Sequence, residues 1–248
     1  DFVSEVTCGL NQPPNYFPVN VAMNKGINKT FNDIIKSGIK PLNAKEFKSL
    51  CEKATVIDCR KPQEFALSHI PNSLFIGIDG GFAPWVASVM KKLDEEVLLL
   101  VEEGREHEAV TRLARVGIDN TIGFLNGGIT AWENAGYKTE MVHSIDAMQF
   151  ESEINKESNI IDVRNNGEYA NGHLMNSVFR PLDQIHQNIS EYQSETNYYI
   201  HCQGGYRSMI ACSILKANGV HNVTDIKGGF GAIAKSTSLK ITNEEIAI

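Results

Sequence analysis

A chain of 248 residues is long for one compact unit and suits two, since roughly 100 to 200 residues make a domain; 42% hydrophobic and 21% charged residues with 20 Gly and 8 Pro are ordinary globular composition, neither collagen-like nor disordered. Lys and Arg number 23 against 30 Asp and Glu, a net charge of −7, so no positive field exists to collect nucleic-acid phosphates or anionic headgroups. The longest aliphatic run, Val97 to Val101, falls far short of the ~20 residues that cross a bilayer, and neither a nucleic-acid nor a membrane partner is expected.

Residues 1–40 stand apart from the rest of the chain. The stretch Asn11-Gln12-Pro13-Pro14-Asn15-Tyr16-Phe17-Pro18 is Pro-rich with aromatics, a composition suited to an extended segment lying on other protein surface, and it is read as a tail or interdomain linker. The opening Asp1-Phe2-Val3-Ser4-Glu5 has no Met, no basic region and no apolar region; no signal peptide is expected, and the sequence reads as a piece of something longer. The cysteines (Cys8, Cys51, Cys59, Cys202, Cys212) form an odd set with no C-x-x-C pair. That fits neither a disulfide framework nor a zinc knuckle and points to a reducing cytoplasm.

From residue 41 onward the chain contains one unit twice. Val56-Ile57-Asp58-Cys59-Arg60, Glu64-Phe65-Ala66, His69-Ile70 and Asn72-Ser73 recur as Ile160-Ile161-Asp162-Val163-Arg164, Glu168-Tyr169-Ala170, His173-Leu174 and Asn176-Ser177, each pair 104 residues apart. Further on, Arg105 matches Arg207 and Gly117 matches Gly219 at 102, and Asn126-Gly127-Gly128 matches Lys227-Gly228-Gly229 at 101. Ordered matches over such a length mean a duplicated domain, here 41–138 and 139–248. A repeat this long exceeds solenoid units, so each copy is expected to have its own core.

In chain order, buried strands are predicted at Ala54–Asp58, Val97–Val101 and Thr121–Leu125, then at Asn159–Val163, Tyr198–Ile200 and Asn222–Ile226. Apolar spacing predicts helices over Glu108–Val116 and Ser208–Ala217, closed by Gly117 and Gly219. Between the copies, the stretch from Tyr137 to Met148 is expected to turn helical with Ser144 as N-cap. Alternating strands and helices give an α/β fold: two tandem domains, each a mainly parallel sheet flanked by helices.

The apolar run Tyr198-Tyr199-Ile200 ends at His201-Cys202-Gln203-Gly204-Gly205-Tyr206-Arg207-Ser208, after which a helix begins. A cysteine between a strand end and a helix start sits where unpaired backbone N–H groups converge. Such a cradle stabilises anions and lowers a thiol pKa, and Arg207 adds a full positive charge, so Cys202 is expected to be a thiolate at neutral pH. Gly204 and Gly205 let the loop curl. A cysteine at a strand end is more commonly plain core; two glycines, an arginine and a helix start within five residues are what that reading leaves unexplained.

The pattern C-x-x-G-x-R-S at Cys202, Gly205, Arg207 and Ser208, with Asp162-Val163-Arg164, Gly172-His173-Leu174 and Gly228-Gly229-Phe230 in order, resembles the rhodanese family of sulfurtransferases over about Pro41 to Ser238. The resemblance implies two tandem rhodanese-like domains and a catalytic Cys202 that takes a sulfane sulfur from thiosulfate or a persulfide, holds it as Cys–S–SH and passes it to a thiol or other nucleophile. Gln203, Gly204, Gly205, Tyr206, Arg207 and Ser208 would bind the donor, a small sulfur anion or low-molecular-weight persulfide, with Asp162 and Arg164 in support. The first copy departs from the pattern. Its loop, Leu99-Leu100-Val101-Glu102-Glu103-Gly104-Arg105-Glu106, has no cysteine and carries carboxylates that repel anionic donors, so 41–138 is read as inactive and structural. Cys59, at the end of the neighbouring strand, is read as ordinary burial.

The segment Glu5-Val6-Thr7-Cys8-Gly9-Leu10, followed by Pro13 to Pro18 and Met23-Asn24-Lys25, is similar to the junction in bacterial proteins that fuse a metallo-β-lactamase-fold persulfide dioxygenase to tandem rhodanese domains. That implies a catalytic domain of the same polypeptide N-terminal to this chain. No H-x-H-x-D-H run occurs among His69, His107, His143, His173, His186, His201 and His221, so no metal or other cofactor is expected here and any mononuclear metal belongs to that further domain.

His69 and His173 hold equivalent places in both copies, which argues for a structural hydrogen bond; Asp58 and Asp162 are likewise read as braces. His201 adjoins Cys202, but alternation along a strand turns it to the opposite face. A cysteine phosphatase or arsenate reductase also uses His-Cys, an anion cradle and Arg followed by Ser or Thr, with one residue more than the four between Cys202 and Arg207. A non-catalytic interaction module is the third reading.

Overall fold

The computed structural model describes residues 30–243 apart from residue 91. The Pro-rich stretch and the segment Glu5 to Lys25 lie outside the described residues. In the first copy, helix α1 (Phe31–Gly38) precedes β1 (Pro41–Leu42), α2 (Ala44–Leu50), β2 (Thr55–Asp58), α3 (Pro62–Leu67), β3 (Leu74–Phe75), α4 (Phe82–Val89), β4 (Val97–Leu100), α5 (Glu106–Ala114), β5 (Thr121–Leu125) and α6 (Gly128–Asn134). The second runs β6 (His143–Ile145), α7 (Ala147–Glu153), β7 (Asn159–Asp162), α8 (Asn166–Ala170), β8 (His173–Leu174), β9 (Ser177–Phe179), α9 (Ile185–Asn188), β10 (Tyr198–His201), α10 (Tyr206–Ala217), β11 (Val223–Ile226), α11 (Gly229–Ser236) and β12 (Ile241–Thr242).

Each copy is a five-stranded sheet, β1-β5-β4-β2-β3 and β6-β11-β10-β7-β9, with every neighbouring pair parallel. The strand order is the same in both, as a duplicated sequence requires. Central strands covered on both faces read as continuous apolar runs: Val97, Leu98, Leu99 and Leu100 of β4 are all fully buried. A small antiparallel pair, β8 with β12, closes the second copy.

The core does not divide as the repeat predicts. One hydrophobic cluster runs through both copies, from Ile57, Phe75 and Val86 to Ile161, Ile200 and Leu215, with a smaller cluster behind each sheet. The reason is α10. Met209, Ile210, Ala211, Cys212, Ile214 and Leu215 are all buried, which marks a helix covered on all sides rather than an amphipathic one. It lies between its own sheet and edge strand β3 of the first copy, where Ser213 Oγ accepts the Phe75 N–H at 3.0 Å. A free edge N–H is thereby satisfied.

Two local expectations change. Ser144 lies within β6, and the following helix is capped by Asp146, whose Oδ1 accepts from Gln149 N at 2.8 Å. Residues 31–38, placed in the tail by the sequence reading, form α1, capped by Thr30. Ile34 and Ile35 of α1 join the shared core, and Gly38 lies against Val110 of α5.

Candidate active site

Cys202 sits at the carboxyl end of β10, where open parallel sheets place their sites, and it is 1% exposed. The chain turns at once into α10 because Gly205 caps that helix with φ +96°, a conformation that suits glycine. The turn aims the Gly205 N–H at Cys202 Sγ, 3.1 Å away. Ser208 Oγ lies 3.6 Å from the same sulfur. The Cys202 sulfur therefore lies at the N-terminal end of a buried helix, on the Gly205 N–H and the positive dipole end that favour negative charge.

The loop is braced from behind by the Gly228-Gly229 turn. Phe230 N donates to the Cys202 carbonyl at 2.7 Å and Gly231 N to that of Gln203 at 3.1 Å. Gly229 has φ +53°, and a Cβ there would come within 2.9 Å of the carbonyl carbons of Cys202 and Gln203 and closer still to the Cys202 carbonyl oxygen. Asp162 and Arg164 form a buried ion pair, Nη2 to Oδ2 at 2.7 Å, and Arg164 also donates to the Gly172 carbonyl at 2.8 Å and to Gln203 Oε1 at 3.3 Å. Its guanidinium lies 3.9 Å from the Phe230 ring centroid. This pair ties β7 to the loop and to the bracing turn, so it shapes the site without facing the sulfur.

Of the residues expected to bind the donor, Tyr206 turns its side chain elsewhere, and Arg207 is engaged by a carboxylate while its charge still reaches Cys202. Tyr206 turns into the first copy: its hydroxyl donates to the Gly77 carbonyl at 2.7 Å, and its ring meets Phe75 edge-on at 5.8 Å. A Cβ at Gly80 would strike that ring. Its side chain is thus an interdomain anchor rather than a donor contact, because the residue after the capping glycine leaves the first turn on the side of the neighbouring sheet. Arg207 forms a two-pronged pair with Glu168, Nη1 to Oε2 at 2.6 Å and Nη2 to Oε1 at 2.7 Å. The fork holds the Glu168 carboxyl below the ordinary range and the guanidinium above its own, so the charge counted as free in the sequence is balanced. Gln203 and Gly204 are exposed, while Gly205 and Ser208 are buried.

Other histidines and cysteines fall as framework. His69 and His173 stack on Phe65 and Tyr169 at 4.0 and 3.8 Å between ring centroids. Each donates from Nδ1 to the carbonyl of that same residue at 2.9 and 3.0 Å. Both roles are structural. His201 faces Asp162 and Phe230, away from the sulfur, and burial pushes its pKa down. Burial pushes the Cys59 and Cys212 thiols well up. Among the described residues no group of three His, Cys, Asp or Glu is placed to hold a metal ion.

In the first copy, strand pairing sets Leu100 opposite Asp58 as His201 is set opposite Asp162, so Val101 occupies the place of Cys202. The positive φ of Gly104 and Gly205 agrees. This register puts Arg105 opposite Tyr206, one residue from the match with Arg207 read through the helix, since α10 is longer than α5. Gly104 N, the counterpart of the N–H on Cys202, donates to Glu106 Oε1 at 3.1 Å. Arg105 is held by Asp79 at 2.8 Å and Glu108 at 2.9 Å. Where the second copy holds a sulfur, the first holds its own carboxylate.

Glu168 as the partner of Arg207 was not legible as such. In sequence it is the last residue of the capping box Asn165-x-x-Glu168, which it also completes, and its first-copy equivalent Glu64 only caps. Asp225, which accepts the Ser208 hydroxyl at 2.6 Å, was missed altogether; a lone acid in an apolar strand was the available signal.

The model of the family described as rhodanese-like domain matches residues 43–135 and 146–236. The chain is 30% identical over 94 residues to the uncharacterized protein YqhL of Bacillus subtilis, covering 38% of this chain and 74% of that one. It is 28% identical over 97 residues to a protein of Allochromatium vinosum named sulfurtransferase, covering 38% and 91%. A rhodanese-like domain protein of Staphylococcus aureus of known structure is 31% identical, covering 41% of this chain and 99% of its own, with a TM-score of 0.36. The two matched blocks fall on the two sheets and span well over half of the sequence, and the chain belongs to the family of rhodanese-like domain proteins.

Proposed function

We propose that this protein is a sulfurtransferase whose second domain carries sulfur on Cys202, with thiosulfate or a low-molecular-weight persulfide as donor and a thiol or similar nucleophile as acceptor. The observation that carries the reading is the Gly205 N–H on Cys202 Sγ in the first turn of a buried helix, set against Val101 and an occupied N–H at the same place in the first copy. With thiosulfate, Cys202 Sγ attacks the outer sulfur. The Sγ–S bond forms as the S–S bond to sulfite breaks, and the bonding pair leaves on sulfite. The persulfide anion then lies over the loop N–H groups, where a pre-oriented cradle favours the charge. An acceptor thiolate takes the outer sulfur and returns Cys202 as thiolate.

Donor binding falls to the backbone of Gln203, Gly204 and Gly205, while Arg207 with Glu168 holds the loop in shape. The first domain supplies the wall on which α10 and Tyr206 pack. In this reading the transfer uses no cofactor in this chain. The segment Glu5 to Lys25 joins the tandem to a metallo-β-lactamase-fold persulfide dioxygenase of the same cytoplasmic polypeptide, in which any mononuclear metal would reside; neither nucleic acid nor membrane takes part. No helix among the described residues is long and apolar enough to cross a membrane.

The test is a thiosulfate:cyanide turnover assay of the wild type and Cys202→Ser. Turnover confined to the wild type supports the proposal, and equal turnover in both overturns it. A phosphatase-like reading is served by the same assay run with an aryl phosphate: hydrolysis that depends on Cys202, without sulfur transfer, would replace the present one.

A further inference from the structure

Cys202 has a polar neighbour that the loop motif does not account for. Ser208 Oγ, 3.6 Å from Sγ, donates its proton to Asp225 Oδ1 at 2.6 Å, and Ser144 Oγ donates to Asp225 Oδ2 at 2.8 Å. A hydroxyl has one proton to give, so with Asp225 ionised Ser208 turns a lone pair, not a hydrogen, toward the thiol. It is placed to accept the S–H.

A buried carboxylate satisfied by two hydroxyls costs stability that an apolar side chain would not. The first copy shows the apolar alternative. Asp225 pairs with Ser144 across β11 and β6, and the corresponding pair across β5 and β1 is Phe124 with Pro41. The sulfur, the acid and its second hydroxyl are therefore present together in one copy, and Val101, Phe124 and Pro41 replace them together in the other.

We propose that Asp225 is a positioning and proton-holding residue that receives the Cys202 proton through Ser208, an inference that rests on Cys202 being the nucleophile. As the S–H proton moves to Ser208 Oγ, the Ser208 proton moves to Asp225 Oδ1, leaving a thiolate, an unchanged serine and a neutral acid. The thiolate then attacks the donor's outer sulfur, with no external oxidant or reductant. When the acceptor has taken the sulfur, the leaving Cys202 thiolate recovers its proton from Asp225 by the reverse path.

The groups facing Asp225 allow this. Burial pushes its carboxyl up to about 6, against the hydrogen bonds from Ser208 on α10 and Ser144 on β6 and the charge of Lys227 beyond β11. Cys212 of α10 also faces it and stays a neutral thiol. The acid can therefore exchange a proton close to neutrality.

The experiment is the rate of Cys202 alkylation by iodoacetamide against pH, read at the Cys202 peptide by mass spectrometry, in the full chain of the wild type, Asp225→Asn, Ser208→Ala and Ser208→Thr. The wild type should show an acid limb near the Asp225 value. Asp225→Asn and Ser208→Ala should both lose that limb and react about tenfold more slowly at neutral pH, a factor worth about 1.4 kcal/mol. Ser208→Thr, which keeps the hydroxyl, should recover what Ser208→Ala loses. An Asp225→Asn profile superimposed on the wild type overturns the proposal; if that variant does not fold, identical profiles for Ser208→Ala and Ser208→Thr do so instead. Alkylation needs no sulfur donor. A shifted profile without persulfide formation would remove the sulfurtransferase reading and leave the relay standing, and persulfide formation with an unshifted profile would do the reverse.

Discussion

Gly229→Ala and Gly128→Ala are the same substitution at equivalent turns, and the structure separates their effects. Both glycines have left-handed backbones, φ +53° and +61°, so a side chain costs each about 1–2 kcal/mol in backbone strain. At Gly128 a Cβ meets nothing within 4 Å, and the cost ends there. At Gly229 the Cβ enters the Cys202 carbonyl, and backbone cannot swing aside as a flexible side chain would. The loop must retreat, which breaks the 2.7 Å bond from Phe230 N and leaves a buried carbonyl short of a partner, about 1–3 kcal/mol more. Total losses of about 2–5 kcal/mol at Gly229 and about 1–2 kcal/mol at Gly128 are expected in urea denaturation. Misplacing a reacting atom by about 1 Å costs about a hundredfold in rate, so single-turnover persulfide formation should fall by about that factor in Gly229→Ala and stay unchanged in Gly128→Ala. Equal stability losses, with wild-type persulfide formation in Gly229→Ala, would refute the bracing role of this turn.

The same geometry sets three other outcomes. Tyr206→Phe should lower stability by about 1 kcal/mol through the lost bond to Gly77, and Tyr206→Ala by about 3–5 kcal/mol by opening the seam between the domains, both read by thermal melting. Val101→Cys in a Cys202→Ser background should give no cyanolysis, because the Gly104 N–H is taken by Glu106; turnover near wild type would show that loop to be a working cradle. Asp225 holds its proton more tightly folded than unfolded, so its contribution to stability is fully present below 3.8 and is lost as pH rises to about 6. The stability of Asp225→Asn relative to wild type should therefore grow across that window by about 3 kcal/mol. The comparison must be between variants, because His69, pushed down to about 4 by burial, contributes a slope of the opposite sign.

The repeat was legible because duplicated strands keep their apolar runs and their Asp-x-Arg braces, and because local rules decide where β2, β4, β7 and β10 lie. The Cys202 loop was legible for a similar reason: cysteine, glycines and helix start are contiguous. What escaped depends on distant pairings. Ser208 and Asp225 are joined across 17 residues and Arg207 and Glu168 across 39, and a linear pattern does not say which way a side chain leaves a helix. Tyr206 sits inside the motif yet faces the other domain. The near-continuous apolar run of α10 did hold the signal that this helix is buried on all sides; periodicity alone reads such a run only as helix. Ser144 was a sound N-cap by residue type, but Asp146 is the cap because the sheet extends through Ile145.

The central claim, that sulfur is carried on Cys202 and nowhere else in the chain, is tested most directly by intact mass after exposure to thiosulfate, before and after a reductant. The wild type should gain the mass of one sulfur atom, lose it on reduction, and carry it on the Cys202 peptide, while Cys202→Ser should gain nothing. A reducible sulfur adduct of equal yield in Cys202→Ser, or one located at Cys51 or Cys59 in the wild type, would contradict the account.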